Sequence, residues 1–177
     1  MRKILSAVAI VPLLSACSIL GKEENQASEQ DCPGVVALEE TREQVSFVGE
    51  SRDLTQVDYS AELVDVRYGC EYRDGGSEIA MEMDVILAAS RGPANQDRQA
   101  ELSYYLAIGH PGNPPEILVR EAYRAPVSFE GNENTVDLTD EVSMTLPLAE
   151  GETASDYRVF VGLVLSRDEV EYNRNSR

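Results

Sequence analysis

The 177-residue chain predicts an all-β protein: a single antiparallel β-sandwich of about seven strands, followed by a short C-terminal helix. Three observations carry that expectation. Apolar residues recur at every second position through most apolar runs, and Gly-, Pro- and Asn-containing turn signals break those runs at short intervals. A helical period is missing until the last dozen residues. A closed barrel is the alternative for such a pattern. An outer-membrane barrel does not fit, because the strands are too few and no lipid-facing apolar band flanked by aromatics is evident.

The first residues read MRKILSAVAIVPLLSAC. Arg2 and Lys3 form a positive start, Ile4 to Leu14 an apolar run, and Ser15-Ala16 a pair of small residues, which is the layout of a secretory signal. The run is too short, and too interrupted by Pro12, for a membrane span of roughly 20 residues. Leu14-Ser15-Ala16-Cys17 resembles a bacterial lipobox. The resemblance implies cleavage between Ala16 and Cys17 and acylation of Cys17, with residues 1–16 as signal peptide. An ordinary cleaved signal with a chance thiol at Cys17 is the alternative. Several acyl chains on one residue make a durable anchor, since each buried CH₂ contributes about 0.8 kcal/mol. Ser18, in place of the Asp that retains such lipoproteins in the inner membrane, points to outer-membrane delivery. Residues 17–31 continue as a polar, lipidated tether, SILGKEENQASEQD after the cysteine, with a root-mean-square reach near ~20 Å as a flexible coil.

The sandwich is expected over 32–166. Tyr59, Ala61 and Leu63 share one face; then the phase slips, and Val64, Val66, Tyr68, Cys70 and Tyr72 share the next. A slip of one residue inverts which side meets the core, so a bulge or crossover is expected near Leu63-Val64. Asp74-Gly75 suits a tight turn. Ile79, Met81, Met83, Val85 and Leu87 alternate cleanly, as do Leu102, Tyr104, Leu106 and Ile108. The HPGNPPE loop follows, since no strand or helix crosses it. Ile117, Val119 and Tyr123 fall in phase with Arg120 and Arg124 opposite; Val127 and Phe129 lead to an EGNEN turn. Val136, Leu138, Val142, Met144 and Leu146 precede the most regular run, Tyr157 through Leu165. Ser166-Arg167-Asp168-Glu169 has the form of a capping box that opens a short helix and tail over 167–177.

Removing residues 1–16 leaves 161 residues with 13 basic against 32 acidic groups, a formal charge of −19. Such a balance argues against nucleic acid as a partner and against adsorption to anionic membranes. With Cys17 lipidated, Cys32 and Cys70 remain as an even pair in an oxidising compartment, where a disulfide persists. Two buried, unpaired thiols are the alternative.

Two further resemblances bear on the folded part. The stretch LPLAEGETASDYRVFVGLVL resembles the corner before a late strand of fibronectin type III or immunoglobulin-like domains. It departs from them in a longer loop before Tyr157, in having no Trp, and in a possible helix where a last strand would follow. Cys32-Pro33, RDLTQVDYSAEL, Cys70-Glu71-Tyr72 and EYNR together resemble a group of uncharacterised lipoproteins from alphaproteobacteria. That likeness agrees with a single disulfide-bonded domain and implies no activity.

Chemistry-bearing residues are sparse. His110 is the only histidine and Lys22, in the tether, the only lysine of the mature chain. A Ser–His or Ser–Lys nucleophile, a Schiff base and a His/Cys zinc site therefore lack their parts. No catalytic residue, resident metal or cofactor is assigned. The acidic stretch 130–141 supplies weak calcium candidates, Glu130, Asp137 and Asp140 foremost, without EF-hand spacing. Glu169, Glu171, Tyr172, Asn173 and Arg174 form either a contact surface or a frayed tail. The expectation is a non-enzymatic outer-membrane lipoprotein, held to the membrane by its lipid and facing the periplasm, that meets an envelope protein or cell-wall partner. A ligand- or calcium-binding lipoprotein is the second reading, and a carboxylate-based hydrolase the third.

Overall fold

The computed structural model describes residues 32–175; Ala16 and Cys17 lie outside them. The strands are β1 (Gly34–Ala37), β2 (Glu43–Phe47), β3 (Val57–Arg73), β4 (Glu78–Arg91), β5 (Gln99–His110), β6 (Glu116–Ser128), β7 (Thr135–Pro147) and β8 (Arg158–Leu163), and helix α1 covers Arg167–Asn175. One sheet has the order β1-β8-β5-β6 and the other β2-β3-β4-β7. Two four-stranded sheets face one another as a β-sandwich, not as a barrel. All pairings are antiparallel except β1 with β8, which run parallel. The sandwich therefore has eight strands and one parallel pair, against an expectation of about seven antiparallel strands. The two strands that no alternation announces, β1 and β2, are too short to show a period.

Period two builds the core. In β4, Ile79, Met81, Met83, Val85 and Leu87 are all buried, and Leu102, Tyr104, Leu106 and Ile108 of β5 meet them from the opposite sheet with Val159, Val161 and Leu163 of β8. Truncating one of these large side chains to Ala would cost about 2–5 kcal/mol. The phase slip in β3 is a β-bulge: register shifts between Leu63 and Asp65, leaving Val64 without a partner in β4 and exposed. Ala61 and Leu63 face inward before the bulge, and Val66, Tyr68 and Cys70 pack against the core after it. Asp74, Gly75 and Gly76 all adopt positive φ in the β3–β4 turn, a conformation two glycines accept without steric cost.

The disulfide Cys32–Cys70 is formed, with Cα atoms 5.7 Å apart. It ties the entry of the folded chain to the far half of β3. The capping box is also present, reciprocally: Glu169 N–H donates to Ser166 Oγ (3.3 Å) and Ser166 N–H donates to Glu169 Oε2 (2.7 Å). A reciprocal pair of this kind satisfies two donors that the first helical turn leaves open.

The two flanks of the sandwich differ. On the β1/β2 side, α1 closes the gap. Asn173 Nδ2 donates to the carbonyls of Glu40 (3.0 Å) and Glu43 (2.7 Å), Gln44 Nε2 donates to Glu169 Oε1 (3.1 Å), and Tyr172 meets Phe47 edge-on. Arg167–Asn175 is thus a docked helix and not a frayed tail, with Asn173 buried and Glu171, Tyr172 and Arg174 exposed. On the β6/β7 side, both edge strands belong to different sheets, and no described element covers the gap between them.

Candidate functional site

The open flank is bridged by polar contacts. Tyr104, fully buried in β5, donates its hydroxyl to Asp140 Oδ2 of β7 at 2.7 Å, and its ring stacks on Tyr123 of β6 with centroids 5.2 Å apart. The Tyr123 hydroxyl donates to Glu121 Oε2 at 2.7 Å. Burial, then the Asp140 carboxylate, pushes the Tyr104 phenol far above its usual range. Burial and Glu121 push Tyr123 up to about 12. Both phenols therefore remain neutral donors at physiological pH. Tyr157, at the mouth of β8, donates to the Glu152 carboxylate. That bond and burial raise its pKa as well.

Beside these contacts lies a cleft of about 380 Å³, lined on one wall by Ile108, Leu118, Val119 and Glu121 and on the other by Met144 and Leu146, with Tyr157 at the start of β8. A second groove of about 330 Å³ runs along the outer face of the same sheet and includes Tyr105, Pro115, Ile117, Arg120 and Phe160. Ile117, Leu118 and Val119 stand between the two, 44%, 47% and 50% exposed. Register explains why three consecutive apolar residues are on view. Ile108 pairs with Val119 and Gly109 with Ile117, so Leu118 is bulged out of the β5 ladder. Gly109 is required there, because a Cβ would strike the Glu116 backbone. Alternation alone puts Ile117 and Val119 in one phase and hides this site; the signal is the uninterrupted run Ile117-Leu118-Val119, which alternation does not allow.

The outer face of β6 is basic. Arg120 lies over the Tyr105 ring with Cζ 4.3 Å from its centroid, and has no ion-pair partner among the described residues. Arg124 meets Glu101 only at 3.9 Å and is largely exposed.

The calcium candidates are not brought together. Asp137 and Asp140 sit three apart in a strand and so point to opposite faces: Asp140 turns inward to Tyr104, while Asp137 and Glu130 are exposed. Among the described residues no group of three or more His, Cys, Asp or Glu is placed to hold a metal. A shallow hollow on the outside of the other sheet carries Glu82, Asp84 and Glu141, with Asp84 and Glu141 directly opposite across strands. His110 ends β5, its Nδ1 3.0 Å from the Asp156 carbonyl and its ring 4.8 Å from that of Tyr157. No helix among the described residues is long and apolar enough to cross a membrane. Comparison of the chain with protein-family models, with curated proteins and with solved structures gave no match.

Proposed function

We propose that the protein is a lipid-anchored module of the bacterial outer membrane, facing the periplasm, that works by holding another polypeptide and not by catalysis. The observation that carries this reading is the uncovered edge of β6. Natural sheets blunt their edges with charge, proline, bulges or covering elements; β6 has the first three in Arg120, Arg124, Pro126 and the Leu118 bulge, yet no described element covers it, and Ile117, Leu118 and Val119 are exposed beside two apolar clefts. The opposite flank, closed by α1, shows how this chain treats an edge that is not for use. Lipidation of Cys17 supplies the attachment, and the polar residues 18–31 give the domain room to meet its partner.

The finer fold reading is immunoglobulin-like. β3, β4 and β7 correspond to the A, B and E strands and β6, β5 and β8 to C′, C and F, with Tyr157 at the E–F corner. β1 takes the edge beside F, and α1 follows where a last strand would run.

Two measurements test the reading in cells. Cys17→Ser is expected to move the protein from the outer-membrane fraction to the soluble periplasm. A photo-crosslinking side chain at position 118 is expected to yield a discrete adduct with another protein, and one at Thr139, on the outside of the other sheet, none. Persistent membrane fractionation of the variant would overturn the anchor. Equal adducts from both positions, or none from 118, would overturn the binding role.

A further inference from the structure

We propose that the edge of β6 from Val119 to Arg124, past the bulge, accepts an extended segment of another polypeptide as an added strand, and selects one that alternates apolar with acidic residues. This deepens the binding role proposed above and rests on it. An added strand gains main-chain hydrogen bonds from the edge, and its side chains point alternately to the two faces of the sheet. The β6 edge offers something on each face. Inward-pointing side chains would enter the cleft between the sheets, against Leu118, Val119, Met144 and Leu146. Outward-pointing ones would pass Ile117 and then Arg120 and Arg124, which share the outer face.

Charge supplies the choice of occupant. The chain carries 32 acidic against 15 basic residues, yet the outer face of this edge is basic. Arg120 is held in place by Tyr105 and spends its charge on no carboxylate among the described residues. Arg124 has one long, exposed ion pair, of a kind that contributes little. The other open edge, β7, carries Asp137 and Glu141 outward and Asp140 inward, and would repel the same segment. An acidic strand is therefore directed to β6.

A second copy of the chain fits worse. Antiparallel pairing of β6 with itself about an axis normal to the sheet sets Arg120 against Arg120, Glu121 against Glu121, or Arg120 against Arg124, for registers centred on 120, 121 and 122 in turn; a register centred on 123 sets Arg120 against Pro126, which has no N–H to give. Like charges directly opposite are destabilising. The bulge at Leu118 removes the regular ladder from registers centred nearer the start of the strand.

The test uses the mature chain and two synthetic decapeptides, one alternating valine with aspartate and one alternating valine with lysine. The valine–aspartate peptide is expected to bind, to protect backbone amides of β6 from hydrogen exchange, and to bind at least about tenfold more tightly than the lysine peptide. Arg120→Glu should reverse that preference, and Leu118→Asp should weaken both peptides. Both sites are exposed, so an unchanged melting temperature confirms that each variant folds. Equal binding of the two peptides, protection on β7 instead of β6, or a concentration-dependent dimer that protects β6 before peptide is added would each overturn the proposal. A crosslink from position 118 in cells with no peptide preference in solution sinks this inference alone. Absence of that crosslink sinks the binding role beneath it.

Discussion

Tyr104 and Asp140 join the two sheets through one hydrogen bond of 2.7 Å, from a fully buried phenol in β5 to an inward carboxylate in β7. It is the polar counterpart of the apolar core at the flank that no other described element closes. A bond to a charged acceptor contributes about 1.5–3 kcal/mol, and an orphaned buried hydroxyl costs about 1–3 kcal/mol.

Tyr104→Phe is therefore expected to destabilise the domain by about 1–2 kcal/mol, and Asp140→Ala by somewhat more, because it strands the hydroxyl. The double variant should lose clearly less than the sum of the two. Urea denaturation of all four proteins gives the coupling, and strict additivity would show that the bond contributes nothing.

Alkaline pH should unfold the protein through the same residues. Burial raises the pKa of Tyr104, Tyr123 and Tyr59, and the Glu152 carboxylate raises that of Tyr157. A phenol with a raised folded-state pKa binds its proton more tightly in the native state. Its contribution is complete below the unfolded value near ~10 and is lost as pH climbs toward the folded value, about 12 for Tyr123. Melting temperature should hold steady up to about pH 9.5 and then fall, with a shallower fall in Tyr104→Phe. An identical alkaline slope in the variant would remove Tyr104 from this account.

The disulfide closes a sequence separation of 38 residues. On the chain-entropy estimate, reduction or the pair Cys32→Ala/Cys70→Ala costs roughly 4 kcal/mol. Urea curves with and without reductant measure it. A midpoint unmoved by reductant, with both thiols shown to be free, would contradict the estimate.

Asn173→Ala should undock α1 without unfolding the sandwich. The variant loses two hydrogen bonds, to Glu40 and Glu43 carbonyls, and local stability should drop by about 1–3 kcal/mol. Hydrogen exchange should quicken in α1 and β2 while the amides of β4 keep their protection. Faster exchange throughout would mean that the helix is part of the global folding unit.

How much of this was legible in the sequence varies with the element. β4 was, because it is a central strand with one face wholly buried, so Ile79 to Leu87 keep strict alternation. The β3 bulge was legible for the same reason, since a break in alternation has few structural meanings. The start of α1 could be read from Ser166 and Glu169, four positions with a known reciprocal geometry. β1 and β2 could not. β1 finds its partner β8 some 120 residues away in a parallel pairing that no turn announces. In β2, Gln44 is polar where a core residue would be expected, and only the arrival of Glu169 on α1 explains it.

The candidate site divides in the same way. Grouping Glu130, Asp137 and Asp140 treated nearness in sequence as nearness in space, and a period of two separates the last pair. The apolar run Ile117-Leu118-Val119 was visible as residues, but not as an exposed edge. Period, turns, cap and cysteine parity are local or countable properties, which is why the fold class, the bulge, the helix start and the partner of Cys32 can be read along the chain. Which strand ends on an edge, which flank α1 covers and where Arg120 stands without a carboxylate depend on packing between segments far apart in the chain. No local pattern of residues encodes them.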